Sequence, residues 1–412
     1  MKKLIIFTAV LLLFTALTSV GCTNNGGMTR YYETGKKDAQ ETTADNFSYE
    51  KLNGKITITG LQSEETEVVI PSYIEGLAVT EIKEYAFRGN KNLRSLIVPK
   101  TVEKIGYGIL SECAGLSRIT LPFTGERHMK KRSANDYNFG YIFGKAEYSG
   151  GERTMQFYHT DLSHDVELVY YSIPMALKEV YITGVEDTHI PYGAFYNCGV
   201  IEKITLGKNV TTIGEFAFSG VNAEIIFEEP QITVIGEHAF EDYKGLSLTI
   251  PDSVREIKKK GYSACVNVKE FTIPDSVKDV DIYAFSFCYD LEKVSLGKNV
   301  DKLSAEIFYF CINLKSVCMP EKLRLIEDGA FDSCKALEEI TIPKSVTRIN
   351  ANAFITCEKL KTVRFEDASG WRYYSVMTSG DELPQAALSD PSTAAKYLTD
   401  TFRDYIWEKT AQ

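Results

Sequence analysis

Leu337-Glu338-Glu339-Ile340-Thr341-Ile342-Pro343-Lys344-Ser345-Val346-Thr347-Arg348-Ile349-Asn350-Ala351-Asn352-Ala353-Phe354 carries, in one pass, every inward position of a coil. Ile340 and Ile342 alternate with polar neighbours at period two, the pattern of a strand buried on one face. Pro343 ends that strand, because proline has no amide hydrogen to give a ladder. Other copies turn with Pro-Asp-Ser (251–253, 274–276) or Gly-Lys-Asn (207–209, 297–299), residue types suited to tight turns. Val346 and Ile349 make a second apolar contact and Ala353-Phe354 a third. Such a unit closes a triangular or arc-shaped coil.

The same phrase returns along most of the chain. Phe285/Cys288, Phe308/Cys311, Phe331/Cys334 and Phe354/Cys357 follow one another at a constant step of 23. Earlier copies stand at Phe87/Asn90, Leu110/Cys113, Phe195/Cys198, Phe218/Val221, Phe240/Tyr243 and Tyr262/Cys265. A fixed step of this size means a solenoid, in which each unit buries its apolar face only against its neighbours. The strand pair recurs eleven times, from Leu96/Val98 to Val363/Phe365. Stacked at about 4.8 Å each, the strands predict a parallel sheet roughly 50 to 60 Å long whose two ends need caps.

Ile-Pro-x-Ser-Val-x-x-Ile followed by Ala-Phe-x-x-Cys-x-x-Leu resembles the BspA-type leucine-rich repeat of bacterial surface proteins. Val69-Ile70-Pro71-Ser72-Tyr73-Ile74-Glu75-Gly76-Leu77-Ala78-Val79-Thr80-Glu81-Ile82 is similar to that family's first coil. The resemblance covers about residues 47 to 412. It implies a β-dominated α/β fold: a leucine-rich-repeat solenoid with a parallel sheet, about 11 coils of ~23 residues, an N-terminal cap and a C-terminal capping helix. It also implies a non-enzymatic surface lipoprotein that binds macromolecules, host matrix proteins or another bacterium. The repeat residues themselves build the core, so they speak for fold before function.

The flanks divide the chain further. Met1-Lys2-Lys3 and the apolar run Leu4 to Leu17 form an export signal (1–21). Gly21-Cys22 resembles a lipobox, whose cysteine becomes the lipidated first residue; cleavage and release as a secreted protein is the alternative. No later stretch reaches the ~20 apolar residues of a spanning helix, so membrane contact is expected only through that lipid. Residues 22–46 read as a flexible tether, 47–80 as the N-terminal cap and 81–365 as the solenoid. The step from Leu121 to Ile182 is 61 rather than about 23, which places an insertion at about 123–175. Its aromatics and Gly150-Gly151 turn suggest a hairpin on the solenoid. Residues 366–412 form the C-terminal cap. There Asp390-Pro391 starts a helix, and Ala394, Ala395, Leu398, Phe402, Tyr405 and Ile406 share a face, so a capping helix is expected over about 391–408.

Function has to be sought outside the motif. A net charge of −10 speaks against nucleic acid, and Lys130-Lys131-Arg132 and Lys258-Lys259-Lys260 are short solvated clusters. Seven of nine cysteines (113, 198, 265, 288, 311, 334, 357) share one repeat position that also accepts Asn90, Val221 and Tyr243, so they read as a stack of small buried residues. Cys318 is left on an outward position. The sequence holds no Cys-x-x-Cys, P-loop, nucleophile elbow or His-Glu-x-x-His, and no catalytic, metal or cofactor residues are assigned. His159-Thr160-Asp161-Leu162-Ser163-His164-Asp165 reads as a polar hairpin tip, and a hydrolase built there is the least favoured function. The outward strand positions are the better candidates: Arg118, Tyr181, Lys203, Glu270, Lys293 and Arg364 are the expected ligand contacts. The expected function is a cell-surface binding protein or adhesin. Its partners would be host or bacterial surface proteins, or glycans and peptides if the protein serves nutrient capture.

Overall fold

The computed structural model describes residues 41–128, 137–159, 166–375 and 378–410. The export signal with Cys22, the tether to residue 40, Lys130-Lys131-Arg132, and the hairpin tip with His164 and the His159 side chain lie outside them. The described chain winds as a β-solenoid of about 13 turns. The turns beyond the expected eleven or so are N-terminal, where Glu67–Val69 pairs with Ser95–Ile97 and Lys55–Leu61 with Leu77–Ile82, both in parallel.

Each coil presents three sides. The first is the strand row read from the sequence. Its N-terminal part runs Glu67–Val69, Ser95–Ile97, Arg118–Leu121, Glu179–Ile182, Lys203–Leu206 and Glu224–Phe227, all parallel and in register. Glu270–Thr272, Lys293–Ser295 and Ser316–Cys318 form a second piece, and Glu339–Ile342 with Thr362–Phe365 a third.

The second side is also a ladder. The position of Ile349, read from the sequence as a contact, is a two- to four-residue strand in most coils, as at Val210–Ile213, Glu256–Ile257, Leu325–Ile326 and Arg348–Ile349. The third side holds the Ala-Phe turns, which hydrogen-bond from coil to coil: Phe285 N to Ile307 O at 3.0 Å, Phe308 N to Ala330 O at 3.0 Å, Phe331 N to Ala353 O at 2.8 Å.

Between these sides the core repeats with the coil. The motif rings stack with centroids 5.1 to 5.9 Å apart from Phe195 to Phe354. Beside them all seven repeat cysteines are buried. Six donate to the carbonyl of the motif residue one coil back, as Cys311 Sγ to Phe285 O at 3.1 Å and Cys357 Sγ to Phe331 O at 3.1 Å. The position therefore asks for a small donor as well as a small volume, which a thiol supplies. Asn90 serves differently, its Oδ1 accepting from the amides of Asn92 and Leu93. Tyr243 fills the site with a ring, its hydroxyl donating to Ala223 O at 2.7 Å and Ser247 O at 3.1 Å. That intrusion accompanies the first break in the strand row, since Leu248 and Ile250 are buried but unpaired.

Two sequence boundaries move. The insertion is shorter than 123–175, because residues 118–144 complete a coil of their own. Arg127 bridges Lys104. The short turn Phe139–Ile142 sits between the motif turns of Leu110 and Phe195, with Leu110 N to Ile142 O at 2.9 Å and Phe139 N to Ala194 O at 2.8 Å. Phe139 joins the ring stack at 4.8 Å from Phe195. Asn-Phe-Gly-Tyr-Ile-Phe hid this turn because it lacks the Ala-Phe-x-x-Cys phrase. Gly140 stands where a Cβ would meet the buried Tyr171 ring at 2.3 Å. The true addition is the antiparallel hairpin Gly151–His159 and Val166–Pro174.

The expected helix over 391–408 is also cut short. Asp390 caps it as read, its carboxylate accepting from Thr393 N at 2.8 Å, and the helix runs Pro391–Lys396. After a single wide turn the chain becomes the strand Ile406–Lys409, antiparallel to Arg348–Ile349. The open edge of the second ladder offered unpaired backbone groups, and pairing them outweighed the helical period of Phe402, Tyr405 and Ile406. Trp371–Ser375 and Thr378–Glu382 extend that closing sheet, with Trp371 and Trp407 both buried. At the other end Phe47–Leu52 pairs antiparallel with Lys55–Leu61 through Asn53-Gly54, both at positive φ as a tight hairpin requires.

Candidate binding face and its cleft

The outward residues of the strand row form two columns. One holds Arg118, Glu179, Lys203 and Glu224 in register, then Glu270, Lys293 and Ser316, then Glu339 and Thr362. The other holds Thr120, Tyr181, Thr205 and Ile226, then Thr272, Ser295 and Cys318, then Thr341 and Arg364. All six expected contact residues lie on this face, but they do not form one site.

The N-terminal stretch is largely satisfied by itself. Arg118 donates to Glu67 Oε1 at 2.5 Å and to Ser95 Oγ at 3.0 Å. Tyr181, expected to be exposed, is only 5% so: its hydroxyl donates to Glu228. To reach that carboxylate the ring crosses the neighbouring strand, which leaves Thr205 buried. Lys203 is half-buried. Further along, Lys293 lies 4.0 Å from Glu270, an exposed pair of the kind that contributes at most ~1 kcal/mol.

The C-terminal stretch is different. Among the described residues no ladder joins Ser316–Cys318 to Glu339–Ile342, although their coils are sequence neighbours. Val317 and Met319 are only half-buried, whereas Val294 and Ile340 on either side are inside. The two strands thus part, and two adjoining hollows of about 460 and 330 Å³ open along the split. Lys315, Glu338, Glu339, Lys361, Arg364 and Cys318 stand around them.

Charge gathers beside the same split. Lys269, Glu292, Lys315, Glu338 and Lys361 alternate at a step of 23, a charge ladder one residue ahead of the strands. One rung is closed: Lys315 Nζ lies 2.7 Å from Glu292, and that ammonium holds the Glu292 carboxyl below its usual range. Across the split Lys315 turns to Glu292 and leaves Glu338 behind. Arg364 hangs over the second hollow with its guanidinium fork open, and Cys318 is exposed at its wall. The cleft therefore offers both signs of charge and two strand edges. The alternating charges were legible in the sequence; the split, carried by Val317 and Met319 moving outward, was not.

Elsewhere the titratable clusters are internally occupied. Lys258, Lys259 and Lys260 face Glu256, Glu237 and Glu241. His238 Nδ1 lies 2.8 Å from Glu241. Among the described residues no three His, Cys, Asp or Glu side chains come together as a metal site, and no helix is long and apolar enough to cross a membrane.

With the coil and its face in place, comparison with known proteins is direct. The model of the BspA type leucine rich repeat region matches six copies, over residues 64–137, 188–309 and 255–370. The chain belongs to that family. Among solved structures, a leucine-rich repeat protein from Bacteroides ovatus is 20% identical, with 79% of this chain and 88% of that one aligned and a TM-score of 0.41. A leucine rich cell surface protein from Faecalibacterium prausnitzii is 23% identical over 80% of this chain and 95% of its own, with a TM-score of 0.33. No curated protein shows a significant match. The BspA-type motif positions are the ring stack, the thiol column and the strand anchors. What distinguishes one BspA-type chain from another must lie on the outward columns and in departures from the repeat.

Proposed function

We propose that this chain is an exported, cell-surface binding protein, anchored through lipid at Cys22, that holds macromolecular ligands against its strand row. Catalysis and cofactors have no part in this reading. The cleft between Ser316–Cys318 and Glu339–Ile342 carries it, because there the face keeps ionic groups and backbone edges that the folded chain does not use itself. Extended segments of host or bacterial surface proteins fit such a surface: main-chain groups meet a strand edge, and Arg364 and Glu339 select side chains. Family membership supports a binding or adhesion role. The cleft size also favours a second reading, capture of glycans or peptides, since hollows of this volume fall in the range of small-ligand sites.

The test is a binding screen of residues 23–412 against matrix proteins, whole bacterial cells and a glycan panel, with Arg364→Ala and Lys361→Ala beside the natural chain. Saturable protein or cell binding that falls at least ~10-fold in the variants and weakens with salt supports adhesion. Glycan-only binding moves the protein to capture. Binding untouched by both substitutions removes the cleft from the account.

A further inference from the structure

The turn side, opposite in role to the strand row, carries rings that the fold does not need. Each Ala-Phe turn holds two residues in the left-handed region, four apart. In many coils these are small or polar: Ala264, Gly329, Ser333, Asn352 and Thr356, at φ between 54 and 60°. In two neighbouring coils they are instead Tyr283 (φ 59°), Phe287 (58°) and Phe310 (58°). A bulky residue there is costly by about 1–2 kcal/mol relative to glycine, and these three rings are half-exposed rather than buried. With Tyr289 and Tyr309 they form one edge-to-face patch: Phe287 lies 5.2 Å from Tyr309 and 5.8 Å from Phe310, and Tyr283 lies 6.4 Å from Tyr309.

The molecule itself shows how such a patch is covered. Tyr196 and Phe216 occupy the same turn columns as Tyr309 and Tyr283, several coils earlier. Over them the inserted hairpin lays a strand whose Phe157 ring sits 3.9 Å from Tyr196, 5.2 Å from Phe216 and 5.4 Å from Tyr192. Phe157 is thereby 7% exposed and Tyr192 9%. The second patch has no hairpin. The same turns carry Asp281, Asp290, Glu306 and Asp332: Glu306 accepts from the Tyr283 hydroxyl and Asp332 from Ser333 Oγ at 2.9 Å, and among the described residues none of the four takes part in an ion pair, whereas Lys260 and Lys335 face Glu241 and Glu358.

We propose that the patch of Tyr283, Phe287, Tyr289, Tyr309 and Phe310 is a second docking surface, which receives an extended segment of a partner protein bearing an aromatic side chain flanked by basic ones. The aromatic takes the place that Phe157 has on the sister patch, and the flanking cations meet carboxylates that have no ion-pair partner in the described chain. This goes beyond the strand-row reading and stands or falls separately from it.

Alternation at period two puts positions 2, 4 and 6 of an extended peptide on one face. The probe is therefore the blocked peptide Thr-Arg-Thr-Phe-Thr-Arg-Thr, followed by saturation-transfer NMR against residues 23–412. Its Phe ring protons should receive saturation. Versions with Phe replaced by Ala, or both Arg by Glu, should bind at least ~10-fold more weakly. The protein variants Phe287→Ala and Phe310→Ser install residues that sister coils already carry, so folding is kept; together they should abolish the signal. Arg364→Ala should leave it intact, which separates this surface from the cleft. The proposal is overturned by no binding at millimolar peptide, by equal binding of the Glu version, or by binding that survives the double variant. It is equally overturned if sedimentation shows the chain alone dimerising through the patch, with the dimer lost in Phe310→Ser, since the occupant would then be a second copy.

Discussion

From Phe195 to Phe354 eight rings follow one another at 5.1 to 5.9 Å without interruption, while the strand row drawn by the same coils breaks at Leu248 and again between Cys318 and Thr341. Each ring is held from both sides by its neighbours and its turn is tied by amide-to-carbonyl bonds to the next coil, so a departure at one coil must be absorbed by two others. An outward strand residue has no such partner. The same repeat is thus rigid where it stacks and permissive where it faces solvent, and irregularity collects on the side that can use it.

The largest test of this contrast is at the end of the stack. Ending the chain before Asp390 would remove Trp407, Leu398 and the strand that closes Arg348–Ile349, leaving an open ladder edge and uncovered apolar surface. The expected outcome is aggregation in place of a soluble cooperative unfolder, read by light scattering and denaturant titration. A soluble truncation that unfolds in one step would show that the solenoid needs no closure. Within the stack, Phe308→Ala should cost about 3–5 kcal/mol in urea unfolding, because the cavity lies between two rings that cannot collapse onto it. Cys311→Ala should cost less, about 1–2 kcal/mol, for the lost thiol bond to Phe285 O and a smaller void.

How much of this the sequence revealed follows the same division. Period two around Ile340 and Ile342, the stop at Pro343 and the step of 23 gave the coil, its direction and its buried residues, because those positions are dictated by packing against copies of themselves. The closing strand Ile406–Lys409 was hidden, since its helical period was overruled by a ladder edge more than fifty residues upstream. The turn Phe139–Ile142 was hidden because it reaches the repeat's geometry without the repeat's residues. On the face, Arg118 and Lys293 were found as outward but proved to be engaged, and Tyr181 as outward but proved to be buried. Side-chain partners across coils depend on rotamers, which a column of residue types does not specify.

At the permissive side, Arg364→Ala and Lys361→Ala should move stability by no more than about 0.5 kcal/mol, since neither side chain is buried or bridged. Their effect belongs to ligand binding alone. A loss of a kilocalorie or more in denaturant titration would mean that the split is held apart by these charges and is part of the core after all.

The smallest perturbation gives the sharpest reading of the contrast, because it changes no residue. A thiol reagent at mild alkaline pH acts on thiolate that it can reach. Burial pushes the Cys113 thiol up to about 12, and desolvation likewise holds the Cys198, Cys334 and Cys357 thiols well above their ordinary value. These four thiols are therefore protonated, all seven of the stack are enclosed, and their labelling requires a coil to open. Cys318 is exposed on the wall of the cleft. In residues 23–412 one equivalent of label should enter rapidly at Cys318, with the seven repeat cysteines reacting only as fast as the solenoid unfolds, and sub-denaturing urea should speed them together. Rapid labelling at Cys334 would mean that the stack opens locally beside the split. The permissive side would then reach through to the rings, and the two regions would be one.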